Sequence, residues 1–450
     1  WFDELGIDAL FVDEAHEYKN LWFVTKLNRI AGIQPGQAQR AFDMFMKTQY
    51  LTERNNGRGV VFATGTPISN TLCEMYTMMR YMIREQMAGA NIEAFDSWAS
   101  GFGETVTSAE VTPEGGGFRM HTRFNRFVNV PELMLMYKRF ADIQTAKMLN
   151  LPVPELEGGG IETVEAEENE HVQRIIRTVL MPRANRIRRG KVKPWEDNML
   201  AVTTDGRKLA LDIRLYDPKL PDLPNSKLNL GVKNIFSIWK ATQNKRLTQL
   251  VWLDMGTPAT KKKKAKQADT DTSIDLKNTE EEQDIDDEEE DIDTAERETI
   301  EDLLRGNINL YEDIKKKLVA MGVPENEIAF IHDAKTKSQR KTLFNNFRAG
   351  NVRILIASTG KLSTGANIQE RLYVEHELDA PWRPADVEQR SGRILRQGNT
   401  NPSVRLLRYV TKGSFDAYMW QTLENKARFL EQILAGDEKS REVEDIGSQS

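Results

Sequence analysis

The chain has 450 residues, of which 39% are hydrophobic and 29% are charged, so we expect two or three globular domains. No apolar run approaches the roughly 18 residues of a membrane-spanning helix, and the N-terminal residues lack a signal-peptide pattern. A single cysteine, Cys73, and five histidines exclude an internal disulfide framework and argue against a structural zinc site. The sequence therefore predicts a soluble intracellular protein without a membrane partner.

The net charge of −6 is distributed unevenly along the chain. Residues 265–301 contain seventeen Asp and Glu against three Lys and Arg, a local charge of −14, so subtraction leaves +8 on the other residues. A basic body with one acidic tract favours a polyanionic partner such as nucleic acid. Residues 256–298 contain few apolar side chains, and we predict a disordered surface insertion there because such a segment buries too little surface to offset its ordering entropy.

In the N-terminal part of the chain, two apolar runs at residues 7–12 and 59–63 are typical of buried strands in a parallel sheet. Helical spacing of apolar residues between Asn70 and Met82 predicts a helix after the second strand. The next segment, residues 85–218, lacks the alternation of strands and helices found on either side of it. We interpret this segment as a largely helical insertion.

A second series of strands and helices begins near Leu228. Its predicted strands lie at residues 249–254, 327–331, 352–357 and 371–375, and its predicted helices lie at residues 300–321, 337–348 and 385–396. Alternating strands and helices predict an α/β fold in which parallel sheets carry helices on both faces.

The first candidate site is Asp13-Glu14-Ala15-His16, directly after the first predicted strand. Carboxylates at this end of a parallel strand point into the crevice where such sheets bind ligands. Asp13 is suited to hold a Mg²⁺ ion bound to nucleotide phosphates, and Glu14 to orient or deprotonate an attacking water. On these residues alone, a solvated turn with two acids is an equally good interpretation.

A second candidate site lies on the last predicted helix, where Arg393 and Arg396 are three residues apart and share one face. Their guanidinium groups could reach phosphate oxygens and stabilise charge on a transferring phosphoryl group. Taken alone, a surface arginine stripe paired with Asp386 and Glu388 is the commoner explanation of this pattern.

The turn after the strand at residues 352–357 holds Ser358, Thr359 and Lys361, whose hydroxyls, amides and charge could hold a phosphodiester backbone. Thr359-Gly360-Lys361 is not a phosphate-binding Walker A loop, because the required Gly-x-x-x-x-Gly-Lys-Ser/Thr spacing fails. No such sequence occurs anywhere in the 450 residues.

A cluster of cations lies inside the predicted insertion, within residues 183–193. Its members are Arg183, Arg186, Arg188, Arg189, Lys191 and Lys193. Contacts with DNA phosphates and a solvated helix face explain this cluster equally well.

Five motifs in order resemble those of superfamily-two helicases and translocases, in particular the Swi/Snf-like branch. They are DEAHEYKN at residues 13–20, TGTPISNTLCE at 64–74, ASTGKLSTGANIQ at 357–369, DAPWRP at 379–384 and QRSGRILR at 389–396. The resemblance implies two RecA-like lobes that bind ATP and Mg²⁺ between them and move along duplex DNA as the cleft closes and opens.

The same resemblance implies roles for individual residues. It implies catalytic roles for Asp13, Glu14, Arg393 and Arg396, with Asp13 and Glu14 also holding the metal. It implies nucleotide contacts for His16, Gly365, Asn367 and Gln389. It implies nucleic-acid contacts for Thr64, Gly65, Ser358, Thr359, Lys361 and Arg383.

The motifs also suggest domain limits. Residues 1–84 would be the C-terminal part of the first lobe, residues 85–218 the insertion, residues 219–436 the second lobe and residues 437–450 a flexible tail. In the family, the Walker A loop lies upstream of the Asp-Glu-Ala-His motif, and this sequence starts without Met. We therefore expect a fragment of a longer protein, with a partial first lobe, a complete second lobe and no ATPase activity of its own.

Residues 328–399 resemble more narrowly the helicase half of large phage and plasmid proteins that often carry an adenine-specific DNA methylase upstream. This resemblance implies a possible methylase domain in the same polypeptide and a cytoplasmic location in a bacterial or phage-infected cell. The Asn/Asp-Pro-Pro-Tyr/Phe tetrapeptide of such methylases is absent from these 450 residues.

Two alternatives to an ATP-driven DNA translocase stay open at this point. One is a pair of lobes that has lost nucleotide chemistry and serves as a DNA clamp or scaffold. A Gly-x-x-x-x-Gly-Lys-Ser/Thr sequence upstream of Trp1 would separate the two interpretations. The other alternative is a helicase that acts on RNA, although the motif around Trp382 favours duplex DNA.

Overall fold

A computed structural model of the chain contains two parallel sheets and one antiparallel sheet, each with helices packed against it. It describes residues 1–27, 30, 33, 36, 38–68, 71, 73–111, 118–144, 146–149, 151–189, 191–193, 196–258, 308–362, 366–435 and 442–444. The predicted α/β fold with parallel sheets is confirmed.

The N-terminal lobe contains a two-stranded parallel sheet. Its elements are β1 (Leu10–Val12), α1 (Gln39–Arg54), β2 (Val60–Phe62) and α2 (Cys73–Met82). The strands are shorter than the apolar runs that predicted them. Helix α2 is buried on almost every side, and its residues Met75 and Met79 are fully buried. Asn70 and Leu72, which were expected at its start, lie outside the described residues.

The predicted insertion begins with helices and then departs from a purely helical structure. Its first elements are α3 (Arg84–Gly89), α4 (Phe95–Phe102), β3 (Gly103–Val111), β4 (Phe118–Val128), α5 (Val130–Tyr137) and α6 (Ala146–Leu149). β3 and β4 form an antiparallel hairpin, and a strand at Glu442–Glu444 pairs with β4. The expectation of a largely helical segment is wrong for this hairpin, whose β-branched and aromatic residues favour strands.

The rest of the predicted insertion contributes to the second sheet. It contains β5 (Glu155–Leu156), β6 (Glu162–Ala166), α7 (Glu170–Ile175), a π-helical turn (Ile176–Leu180), α8 (Met181–Arg188), α9 (Met199–Leu211) and α10 (Ile213–Tyr216). β5 and β6 both pair in parallel with a strand of the second lobe. The expectation of a largely helical segment therefore does not hold for these two strands, and the domain limits themselves stay predictions.

The second lobe is built on a seven-stranded sheet whose strand pairs are all parallel. Its further elements are α11 (Lys227–Ala241), β7 (Thr248–Trp252), α12 (Leu310–Ala320), β8 (Ile328–Phe330), α13 (Lys337–Ala349), β9 (Ile354–Ala357), α14 (Thr359–Leu362), β10 (Leu372–Glu377), α15 (Pro384–Ile394), β11 (Ser403–Thr411) and α16 (Phe415–Ala435). The strand order is β5-β11-β10-β7-β9-β8, with β6 also on β11.

Alternate side chains of the central strands pack into two hydrophobic cores, one on each face of this sheet. On β7, Val251 packs with α11 and α12, whereas Leu250 and Trp252 pack with α13 and α15. The predicted helices on both faces are thus present. Residues 259–298 of the predicted disordered insertion and most of the predicted flexible tail lie outside the described residues.

Candidate functional site

The carboxyl ends of β1 and β2 bring the two N-terminal motifs together. The strands pair in parallel with Leu10 beside Val60, so the loops that follow them lie at the same edge of the sheet. The Ala15 amide donates a hydrogen bond of 3.0 Å to the Ala63 carbonyl and joins the loops directly. The Asp-Glu-Ala-His and Thr-Gly-Thr-Pro motifs therefore form one surface.

The two acids of the first motif lie on an unusual turn. Glu14 has φ 50° and ψ 42°, in the left-handed region, which residues with a side chain adopt rarely. Its amide donates to Asp13 Oδ1 at 2.9 Å. Asp13 is exposed and Glu14 is half-buried. The strained turn thus presents both carboxylates at the edge where parallel sheets bind ligands.

His16 links this turn to the second motif. Its Nδ1 and Thr64 Oγ1 share a hydrogen bond of 2.9 Å, and Nδ1 also lies 3.4 Å from Glu14 Oε2. Burial lowers the pKa of His16, and Glu17 and Glu14 only partly oppose this effect. We therefore expect a neutral imidazole at pH 7 that fixes the Glu14 turn relative to Thr64. The implied nucleotide contacts of His16 stay predictions.

A buried ion pair gives a structural role to two further residues of the motifs. Lys19 belongs to the first motif, Glu74 is the last residue of the second, and Lys19 Nζ lies 3.0 Å from Glu74 Oε1. Both side chains are about nine-tenths buried. Removal of one charge would leave the other buried without a partner and would destabilise the fold. The pair ties the loop after β1 to helix α2.

In the second lobe, polar side chains meet at the carboxyl ends of β7, β9 and β10. Arg390 Nη2 donates to Asp254 Oδ2 at 2.7 Å and to Asp379 Oδ1 at 3.3 Å. Arg390 Nε donates to Thr359 Oγ1 at 2.8 Å. Burial and the neighbouring Asp254 raise the pKa of Asp379. The cluster holds α15 against the ends of three strands.

Asp254 and Arg390 were not among the candidate site residues chosen from the sequence, although a sequence feature pointed to each of them. Asp254 directly follows an apolar strand, as Asp13 does. Arg390 lies within the same motif as Arg393, on the side of α15 that faces the sheet, and is fully buried. The two residues are 136 positions apart, so only the tertiary structure shows that they pair.

At the turn after β9, some of the groups that were predicted to contact a phosphodiester backbone form hydrogen bonds within this cluster instead. The Thr359 amide and hydroxyl donate to the two oxygens of Asp254 at 2.6 and 2.9 Å. Ser358 Oγ lies 3.4 Å from His332 Nε2, whereas the Lys361 side chain is exposed. Of these three residues, Lys361 is the one best placed to meet a phosphate.

Arg393 lies in the last turn of α15, whereas Arg396 lies beyond the helix end at Ile394, so the prediction that both share one helical face is wrong. The Nη1 atoms of both arginines nevertheless point toward the Ala366 carbonyl, at 3.4 and 3.5 Å. Burial and the neighbouring Arg396 lower the pKa of Arg393, whereas Glu375 and Glu14 raise it. Glu14 belongs to the other lobe. One acid of the predicted catalytic set thus influences the pKa of one arginine of that set from the other lobe.

The remaining predicted site residues are dispersed around this cleft. Gly65 has open space where a side chain would project. The Asn367 side chain is exposed, whereas Gln389 and Arg383 are half-buried. Gly365 lies outside the described residues.

The basic cluster of the insertion is partly neutralised. Arg183 Nε lies 2.8 Å from Asp197 Oδ2, and its Nη1 lies 2.6 Å from Asp205 Oδ2. Arg183 therefore joins α8 to α9 and the loop before it. Arg186 and Lys191 are exposed, so a phosphate contact at this cluster would fall to residues such as these.

The fold and the motifs define a class of protein. Residues 1–145 match the family described as a probable helicase domain, and residues 293–398 match the helicase conserved C-terminal domain. Both matches are to helicase families, so the predicted resemblance to helicases is confirmed.

Individual proteins are also similar to this chain. Defense against restriction protein B of Escherichia phage P1 is 23% identical over 527 residues, in an alignment that covers 99% of this chain and 23% of that protein. The chain thus spans 23% of the length of that curated relative. A solved structure of the C-terminal part of the Fun30 ATPase domain is 12% identical, with a TM-score of 0.38, and covers 60% of this chain and 89% of that one.

Within the described ranges, no helix has both the length and the apolarity that crossing a membrane requires.

Proposed function

We propose that this chain is part of an ATP-dependent translocase or helicase that acts on duplex DNA. The observation that carries the proposal is the electrostatic influence of Glu14, which follows β1 in the first lobe, on Arg393 of α15 in the second lobe. Nucleotide hydrolysis needs an acid that activates water on one side of the nucleotide. On the other side it needs an arginine that stabilises charge on the phosphoryl group.

Each side chain has a proposed task in this reaction. Glu14 orients the attacking water and accepts its proton, and its turn is fixed by His16. Arg393 and Arg396 stabilise charge on the γ-phosphoryl group when the lobes close. Opening after hydrolysis moves the lobes along the phosphate backbone.

Asp13 and Glu14 also fit the Mg²⁺ ion that nucleotide hydrolysis requires. The ion commonly takes one or two carboxylates, with water and substrate phosphates as its other ligands. The exposed Asp13 carboxylate and the half-buried Glu14 carboxylate are open to such an ion. Bound there, Mg²⁺ would neutralise charge on the phosphates.

An upstream methylase domain stays a prediction about the longer protein. The name of the phage relative, Defense against restriction protein B, supports a role in a phage or another mobile element. We propose that role for the longer protein, not for these residues alone.

The chain should bind duplex DNA with little sequence preference and strong salt dependence, because Lys361 and other exposed cations would contact phosphates. Between about 50 and 200 mM salt, affinity should fall by about tenfold or more, as expected even for two phosphate contacts. Fluorescence titration with two unrelated duplexes at both salt concentrations measures this change.

Two matched variants test whether Lys361 contributes to this binding. Lys361→Ala should weaken binding equally for both duplexes, whereas Lys240→Ala, on an exposed residue at the end of α11, should not change it. Affinity that varied strongly with sequence and little with salt would instead indicate direct readout of bases.

The purified 450-residue chain should show no DNA-stimulated ATPase activity above background. It has no Gly-x-x-x-x-Gly-Lys-Ser/Thr sequence to hold the β- and γ-phosphates. A phosphate-release assay with and without duplex DNA tests this expectation, and robust turnover would show that the loop is dispensable. The same assay on the full-length protein separates a translocase from a clamp without nucleotide chemistry.

A further inference from the structure

Helix α9, from the predicted insertion, packs closely against the second lobe. A Cβ atom on Gly206 would lie 2.5 Å from the Phe415 ring, so only glycine allows this approach to the start of α16. Four residues later, the Ala210 carbonyl accepts a hydrogen bond of 2.7 Å from Thr411 Oγ1. Both contacts fix α9 against the lobe that carries the predicted catalytic arginines.

Between these contacts, α9 places a buried arginine beside the loop that follows β10. Arg207 is 3% exposed. Its Nη2 donates to the Ala380 carbonyl at 2.5 Å, and its guanidinium carbon lies 4.2 Å from the centre of the Trp382 ring. A guanidinium at this distance from an indole face gains a cation–π attraction in addition to its hydrogen bond.

A second arginine holds the same loop from the other side. Arg390 Nη1 donates to the Asp379 carbonyl at 2.8 Å, next to the Ala380 carbonyl that Arg207 holds. Two successive carbonyls therefore each receive a guanidinium N–H, one from α15 and one from α9. A buried carbonyl that lost its donor would be unsatisfied, so the loop would be expected to move.

This loop leads directly into α15, which begins at Pro384 and carries Arg393 near its C-terminal end. Because α15 is a short rigid helix, a change in its first turn displaces the Arg393 side chain. Displacements of about 1 Å at a catalytic group can reduce rates by about a hundredfold.

We infer that Arg207 is a positioning residue: it fixes the loop at residues 379–383, and through it the placement of Arg393 in the cleft. The expected effect on kcat rests on the proposed ATPase function. The expected effect on the loop does not. The inference assigns α9 a role in setting the geometry of the cleft, although α9 lies outside every motif.

The structural consequence is measured by hydrogen–deuterium exchange on the 450-residue chain. Arg207→Met should raise exchange of residues 380–396 by about tenfold or more and leave β7 and β9 unchanged, because the opening is local. Arg207→Lys keeps the charge and a donor but not the planar stack, so it should recover only part of the protection.

The matched control is Arg353→Met. Arg353 is also fully buried, lies 5.4 Å from the Trp239 ring and donates to the carbonyls of Trp239 and Leu247. These contacts lie at the opposite edge of the sheet, where β7 and β9 begin. This variant should raise exchange in β7 and β9 but not specifically in residues 380–396.

The kinetic consequence is measured in the full-length protein. Arg207→Met should lower kcat by about tenfold or more with little change in KM for ATP, whereas Arg353→Met should leave kcat near the wild-type value. Unchanged exchange in residues 380–396, or an equal rise throughout the lobe, would overturn the inference. A wild-type kcat in an active Arg207→Met enzyme would also overturn it, whereas an inactive wild-type protein would contradict the proposed function instead.

Discussion

Arg393→Ala in the full-length protein should lower kcat by about a thousandfold while the affinity for ATP changes by no more than a few fold. An arginine donated across a cleft meets the γ-phosphoryl group only when the lobes close, so it stabilises mainly the transition state. The place of Arg393 in the motif at residues 389–396, together with the influence of Glu14 of the other lobe on its pKa, motivates this expectation. Arg396→Ala should act in the same direction.

Single-turnover hydrolysis, together with equilibrium binding of a fluorescent ATP analogue, separates the two effects. Arg405→Ala is a suitable control, because Arg405 lies on β11 and forms a partly exposed ion pair of 2.7 Å with Glu162. Hydrolysis at the wild-type rate by both the Arg393 and Arg396 variants would contradict the assignment and leave a surface arginine stripe as the explanation.

Arg353 lies in a predicted strand outside the motifs, so Arg353→Ala should change turnover little in the protein that remains folded. The structure shows that this variant would nevertheless lose stability. The Arg353 guanidinium is fully buried and holds the Leu247 carbonyl and Thr242 Oγ1 at 3.1 and 2.8 Å. Truncation would leave buried carbonyls unsatisfied at a cost of about 1–3 kcal/mol each.

Fully buried strands were the part of the fold that the sequence predicted best. A strand covered on both faces needs apolar side chains at every position, so β9 appears as one continuous apolar run. The predicted helices at residues 337–348 and 385–396 are present, with slightly different ends, as Lys337–Ala349 and Pro384–Ile394.

Strands with buried polar residues were predicted poorly. β10 extends to Glu377, two residues beyond its predicted end, because Glu375, His376 and Glu377 are fully buried in the sheet. The ring nitrogens of His376 share hydrogen bonds of 2.9 Å with Tyr409 and with Gln249. Such partners are distant in sequence, so a polar residue within a buried strand has the same local pattern as a residue in a loop.

The same distinction applies to the candidate site. The motifs and their spacing are sufficient to select Asp13, Glu14 and Arg393 as candidates, and their catalytic roles stay predictions. The contacts that hold these residues, such as the hydrogen bond between His16 and Thr64, join segments that are 48 residues apart. Contacts of this kind depend on strand pairing and are not encoded in any local pattern.

The Glu14→Gln substitution should also abolish most hydrolysis, but by a different route. Glutamine keeps the size of the side chain and can keep the approach to His16 Nδ1, which lies 3.4 Å from Glu14 Oε2. It cannot accept a proton from water, and loss of a general base typically costs about 10²–10⁴ in rate. ATP should therefore still bind to the full-length variant and remain uncleaved.

Retention of radiolabelled ATP after rapid gel filtration, compared with single-turnover hydrolysis, measures this trapped state. Glu53→Gln is the matched control: Glu53 is exposed near the end of α1, outside the motifs. Its loss should therefore change the hydrolysis rate little. If Glu14→Gln hydrolysed ATP as fast as the wild-type protein, the Asp-Glu pair would be a solvated turn and the general base would have to be sought elsewhere. If the variant instead failed to bind ATP, Glu14 would act mainly in holding the metal, because a base that acts only on water contributes little to binding.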